Sequence, residues 1–114
     1  LPIGDVLQKK WDFKIQKWNN KDFVKSIVIK MSASWFSADN HSKDGYYDLA
    51  KKGLFHSIRI LNFAKQLKER NHIYDFTIVN SFKKELDMID EDDFDVRNFI
   101  PMRDKLVAEL KGEQ

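Results

Sequence analysis

The chain has 114 residues, a formal net charge of +2 and 42% hydrophobic residues. A chain of this length folds as one domain and buries a sizeable core without disulfides or metal. It has no cysteine, which excludes a disulfide framework, a thiolate metal site and a cysteine nucleophile. Only four glycines and two prolines indicate long regular elements with few tight turns.

The sequence shows no sign of a membrane or export segment. No apolar run approaches the roughly 20 residues that a membrane span needs, and Leu1-Pro2-Ile3-Gly4 lacks the features of a signal peptide. With the lack of cysteine, this predicts an intracellular, cytoplasmic protein with no membrane partner. Because residue 1 is not Met, we expect either a single helical domain over residues 1–114 or a fragment of a longer protein.

The N-terminal part of the chain is ambiguous. Trp11, Phe13 and Ile15 alternate with polar residues, which is typical of a strand, whereas Trp11, Ile15 and Trp18 also fit one face of a helix. The lysines between these aromatic residues suit a surface that stacks bases and follows phosphates. Packing of the same aromatic residues in the core is the better-supported interpretation.

The rest of the chain predicts four helices, each with apolar residues at helical spacing. They cover about residues 22–37, 46–70, 76–89 and 100–111, with a polar turn at 39–45. Asp75 is placed to cap the third helix, and Pro101 and Gly112 suit the start and end of the fourth. We therefore predict an all-α fold, a compact bundle of four to five helices, with one short N-terminal strand left open.

Gly53 lies inside the second predicted helix, where glycine costs about 1 kcal/mol relative to alanine. Three explanations stay open from the sequence. The glycine permits close packing of another helix, marks a kink, or divides the segment into two shorter helices.

The second helix also carries a row of polar residues beside its apolar face. His56 and Arg59 are three residues apart, as are Arg59 and Asn62, so the three share one side of the helix. Arginine offers a planar fork of donors and histidine a donor whose charge changes with pH, a pair that suits a phosphate or the edge of a base. A partly exposed row whose arginine pairs with a neighbouring carboxylate accounts for the pattern about equally well.

The segment KGLFHSIRILNF (Lys52–Phe63), followed by Ile73-Tyr74-Asp75-Phe76 and Asn80, resembles the helical C-terminal half of uncharacterised nucleotidyltransferase-like proteins. Segments SASW (32–35) and IPMRDKL (100–106) match similar helices, so the resemblance covers about residues 25–111. It implies an all-helical accessory domain that forms one wall of a nucleotide cleft beside a catalytic domain. The residues that we expect to face phosphate or base are His56, Arg59, Lys52 and Asn62.

The chain departs from this family in the residues that perform catalysis. The catalytic half of the fold needs a Gly-Ser pair and an Asp-x-Asp that binds two metals. The chain has no Gly-Ser, and Asp93-Phe94-Asp95 has the spacing alone and lies too late. We therefore expect nucleotide or RNA binding by charge complementarity, with no complete catalytic site, no cofactor and no metal, and with a missing catalytic domain as a partner.

Charge is unevenly distributed along the chain, which supports an alternative function. Residues 9–30 hold seven lysines against two aspartates, and residues 85–95 hold seven acids and no base. A small protein-interaction or regulatory module would use these basic and acidic faces on a protein partner. Balance of charge between neighbouring faces of one molecule is the simpler explanation.

The run from Asp90 to Asp95 lacks the glycine and final glutamate of an EF-hand loop, and we expect it to be a solvated loop.

Overall fold

A computed structural model describes residues 21–112. They form four helices, α1 (Lys21–Lys43), α2 (Tyr47–Arg70), α3 (Asn80–Met88) and α4 (Ile100–Lys111), and two 3-10 turns between α3 and α4, Glu91–Asp93 and Val96–Phe99. This part of the chain contains no strand, and the all-α prediction is confirmed. The strand left open at residues 11–15, and the aromatic and lysine surface around it, fall outside the described residues.

Helices α1 and α2 run antiparallel and supply most of the core. Gly53 lies against Ala38, and the Ser57 hydroxyl donates to the Met31 carbonyl at 3.3 Å further along the same contact. A Cβ atom added at Gly53 would lie 3.1 Å from the Ala38 Cβ atom. Because α2 is one continuous helix through this position, the glycine serves close packing and does not divide the segment.

Helix α1 is longer than its sequence pattern indicates, and ends at Lys43 instead of near Ser37. The extra residues belong to the helix because Ala38 is fully buried against α2 and Lys43 pairs with Asp39 at 3.1 Å, one turn apart. The polar turn is accordingly shorter than expected, and Gly45 takes a positive φ of 82° there.

Helix α3 begins at Asn80, four residues after the predicted start at Phe76. Asp75 does cap a backbone group, but its carboxylate accepts from the Thr77 N–H at 2.9 Å and the Thr77 hydroxyl at 2.6 Å. These bonds close a separate turn over residues 76–79 before the helix starts.

A buried glutamine that the sequence did not single out fixes the loop between α2 and α3. Gln66, 2% exposed, accepts from the backbone N–H groups of Tyr74 and Asp75 and donates to the Asp75 carbonyl. Asn71 ends α2 with a left-handed φ of 64°, its N–H bonded to the Leu67 carbonyl. The loop therefore returns the chain across α2 in a defined direction and positions α3.

The last helix closes the core. Phe94 and Val96 bring the 3-10 segment inward, and Leu110 of α4 is fully buried. Gly112 ends α4 with a φ of 79°, as predicted, and Pro101 lies in its first turn. Among the described helices, none combines the length and the apolar character that crossing a bilayer requires.

Candidate functional site

A groove between α2 and α3 contains three of the four predicted site residues. We call it the cationic groove. It has a volume of about 450 Å³. Its lining consists of Asp48, Lys51, Lys52, Phe55, His56 and Arg59 from α2 and of Lys83, Leu86 and Asp87 from α3. Four cationic side chains thus face two carboxylates, so the lining carries a net positive charge even with His56 neutral.

His56 and Arg59 bond directly to each other. The Arg59 Nη2 atom lies 2.9 Å from the His56 Nδ1 atom. A guanidinium has only donors, so Nδ1 must be the acceptor and the imidazole carries its hydrogen on Nε2. His56 is exposed and Arg59 is half-buried. The pair therefore presents one imidazole N–H donor and the remaining donors of the guanidinium.

The Phe55 ring organises the cations from both helices. The Arg59 guanidinium lies 5.6 Å from the ring centroid, and the Lys83 Nζ atom lies 5.9 Å from it. Contacts of this length between a cation and an aromatic ring are attractive. Phe55 thus keeps a cation of α3 near a cation of α2 despite their mutual repulsion.

The two lysines next to each other in α2 have different roles. Lys51 donates to the Ile89 carbonyl at 2.6 Å and lies 5.9 Å from the centre of the Phe94 ring, so it ties the end of α3 to α2. Lys52 is exposed and, within residues 21–112, makes no ion pair or hydrogen bond. Lys52 is therefore the cation that a ligand engages without breaking an internal contact.

Asn62 lies outside the cationic groove. Its side-chain Nδ2 atom donates to the Ile58 carbonyl at 3.1 Å, one turn back along α2. It lines a second cleft, formed with α4, in which Lys65 pairs with Glu109 at 2.5 Å. The helical spacing placed Asn62 on the same side as Arg59, but Asn62 lies in the cleft that Phe82 of α3 and residues of α4 line, and not in the cationic groove.

The acidic segment forms no cluster with histidines. In the described part of the chain, no three His, Asp or Glu side chains are grouped as a metal site requires. Asp95 instead pairs with Arg97, whose side chain and backbone N–H both donate to the carboxylate. These hydrogen bonds hold the pKa of the Asp95 carboxyl below its ordinary value, and the bond from the Arg97 side chain has the largest effect.

Sequence reasoning missed the residues of α3 that line the groove, and it missed the part that the Phe55 ring of α2 plays in it. Lys83, Leu86 and Phe55 complete the groove, and no spacing rule connects Lys83 with Arg59 because their proximity depends on the loop held by Gln66. Phe55 was visible only as one more aromatic beside the predicted histidine.

Comparison of the chain with protein-family models, with curated proteins and with solved structures finds no match.

Proposed function

We propose that this chain is a helical nucleotide- or RNA-contacting domain, and that the cationic groove holds phosphate. The observation that carries the proposal is a groove lined by Lys52, His56 and Arg59 of α2 and by Lys83 of α3, in which Arg59 and Lys83 contact the same Phe55 ring. Cations from two helices face one concave surface, which a simple solvated helix face does not require.

The chemistry of the groove is that of binding and positioning. The Arg59 fork suits two oxygens of one phosphate, and Lys52 and Lys83 act as point charges on either side. Lys52 and Arg59 are seven residues apart on α2, or about 10 Å along the helix axis. A row of this length suits a ligand with more than one phosphate group.

The aromatic ring and the two aspartates of the cationic groove favour nucleotides and RNA over other anions. The half-buried Phe55 ring offers an apolar surface on which a base can lie, as aromatic residues do in proteins that bind single strands. Asp48 and Asp87 repel phosphates placed near them and accept from hydroxyl or amino groups instead. A polyanion without such donors is therefore a poorer ligand than a nucleotide or RNA.

The assignment to a nucleotidyltransferase-like protein is a separate part of the proposal. It rests on the resemblance of residues 25–111 and implies a catalytic domain that this chain does not contain. In that arrangement, the cationic groove contributes one wall of the cleft and fixes the substrate while the catalytic domain makes the bond.

Binding of a fluorescent single-stranded RNA oligonucleotide and of ATP, followed by anisotropy at several salt concentrations, tests the proposal. We expect affinity to fall with salt, with a slope of about −0.7 per phosphate contacted for a single strand. Replacing Arg59 by alanine should weaken binding about 10-fold or more, because a charge-assisted bond is lost.

Arg97→Ala is the matched control, since Arg97 is exposed and pairs with Asp95 outside the groove. It should bind as the unsubstituted protein does. If the folded protein binds neither the RNA oligonucleotide nor ATP at low salt, the proposal is contradicted. It is also contradicted if Arg59→Ala and Arg97→Ala lose the same amount of binding affinity.

A further inference from the structure

The outward face of α1 exposes two large apolar side chains among small and polar residues. Ser26, Ile29, Ala33, Phe36 and Asn40 recur at helical spacing, and all five are exposed. We call this row the outer stripe. Ile29 is 59% exposed and Phe36 67%, although the opposite face of the same helix is packed against α2. Lys30 is the only charged residue between positions 26 and 38, and it lies to one side of the stripe.

We propose that the outer stripe pairs with the outer stripe of a second copy of this chain, with the two α1 helices antiparallel. A twofold axis between Ser32 and Ala33 would place Ile29 of each copy opposite Phe36 of the other. The small side chains at the centre allow the helices to approach closely, and the large ones on either side then meet in pairs.

The charges at the ends of α1 favour the antiparallel direction. With this axis, Asp22 of one copy lies opposite Lys43 of the other, and the contact occurs twice. Parallel pairing would instead bring Lys43 against Lys43 and Phe36 against Phe36. Lys43 already pairs with Asp39 on the exposed helix surface, a contact weak enough to be shared with a second partner.

The size of the contact predicts a weak, reversible dimer. Helix α1 has 23 described residues and is about 34 Å long, and one helix pair of this length buries less than the roughly 1,600 Å² of a standard interface. We therefore expect a dissociation constant in the micromolar range or weaker. The cationic groove is formed by α2 and α3, so it contributes no residue to the stripe.

Sedimentation equilibrium over a range of protein concentrations tests the proposal. The unsubstituted chain should shift from monomer to dimer as concentration rises, and Phe36→Ser should stay monomeric at the same concentrations. Phe76→Ser is the matched control, because Phe76 is 66% exposed but lies in the loop before α3. It should dimerise as the unsubstituted chain does.

Single cysteines test the direction of pairing, since the chain has none of its own. Ala33→Cys lies beside the twofold axis and should form a disulfide-linked dimer on mild oxidation. Ile29→Cys should not, because antiparallel pairing separates the two copies of that position by about two helical turns, or about 10 Å along the axis. A chain that stays monomeric at every concentration overturns the proposal, as does equal cross-linking of the two cysteine variants.

Discussion

The packing of α1 against α2 at Gly53 makes a quantitative prediction about Gly53→Ala. Alanine is favoured over glycine inside a helix by about 1 kcal/mol. The added Cβ atom, however, would lie 3.1 Å from the Ala38 Cβ atom and 3.3 Å from the Ser34 carbonyl oxygen. Carbon atoms prefer about 3.5–4.0 Å, so the two helices must move apart by several tenths of an ångström.

Strain of this kind in a packed core costs about 1–3 kcal/mol. Combined with the gain of about 1 kcal/mol in helix propensity, the free energy of unfolding should fall by about 0–2 kcal/mol. Urea unfolding followed by circular dichroism measures it. The neighbouring exposed position, Lys52, supplies the control. There, helix propensity alone should make Lys52→Ala more stable than Lys52→Gly by about 1 kcal/mol in the free energy of unfolding.

If Gly53→Ala stabilises the protein by as much as Lys52→Ala exceeds Lys52→Gly in stability, the added methyl group meets no resistance and the predicted strain between α1 and α2 is refuted. A second variant tests the contact itself. Ala38→Gly should cost less in the Gly53→Ala background than in the original chain, because it removes the atom that the new Cβ meets.

Three other predictions concern contacts of the fold. Gln66→Ala should lower the free energy of unfolding by about 1–3 kcal/mol in urea denaturation, because buried backbone groups of the following loop lose their partner; a loss under about 0.5 kcal/mol would contradict this role. Lys51→Met should cost about 1.5–3 kcal/mol by removing the charged donor to the Ile89 carbonyl, and unchanged hydrogen exchange in α3 would count against it. The Lys65–Glu109 pair is part-exposed, so Glu109→Gln should cost at most about 1 kcal/mol near pH 7. The bond from Lys65 lowers the pKa of the Glu109 carboxyl below its unfolded value, so the contribution is present above that value and disappears as pH falls through the folded pKa. The melting temperatures of the original chain and Glu109→Gln should therefore converge in acid, and a constant difference would argue against the pair.

Much of the helical architecture could be predicted because apolar spacing is a local property. The pattern in α2 identified its buried face, including Leu54 and Leu61, which the structure leaves fully buried. The positions of the helix ends were harder to predict from the sequence. Helix α1 continues to Lys43 because Ala38 packs against Gly53, a contact between residues of different helices that no local pattern contains. The start of α3 was misplaced because Asp75 caps a turn, and the same residue type serves turns and helices alike.

The candidate site likewise has one part that helical spacing predicts and another that depends on contacts between helices. The proximity of His56 to Arg59 follows from helical spacing, and the structure brings their side chains into contact. Lys83 could not be connected with them, because its position depends on a loop fixed by the buried Gln66. Asn62 shared the spacing but lies beside α4, in another cleft. Spacing along one helix therefore predicts neighbours on that helix, whereas the partner helix decides which of them form a groove.

The most direct test of the central claim is an NMR titration of the 15N-labelled chain with a short single-stranded RNA oligonucleotide. If the cationic groove binds phosphate, the largest shifts should occur at Lys52, His56, Arg59 and Lys83, and should diminish at high salt. Signals of Asn62 and Lys65, in the cleft beside α4, should change little. Shifts that are absent, or that are centred on another surface while these four residues stay unchanged, would contradict the account.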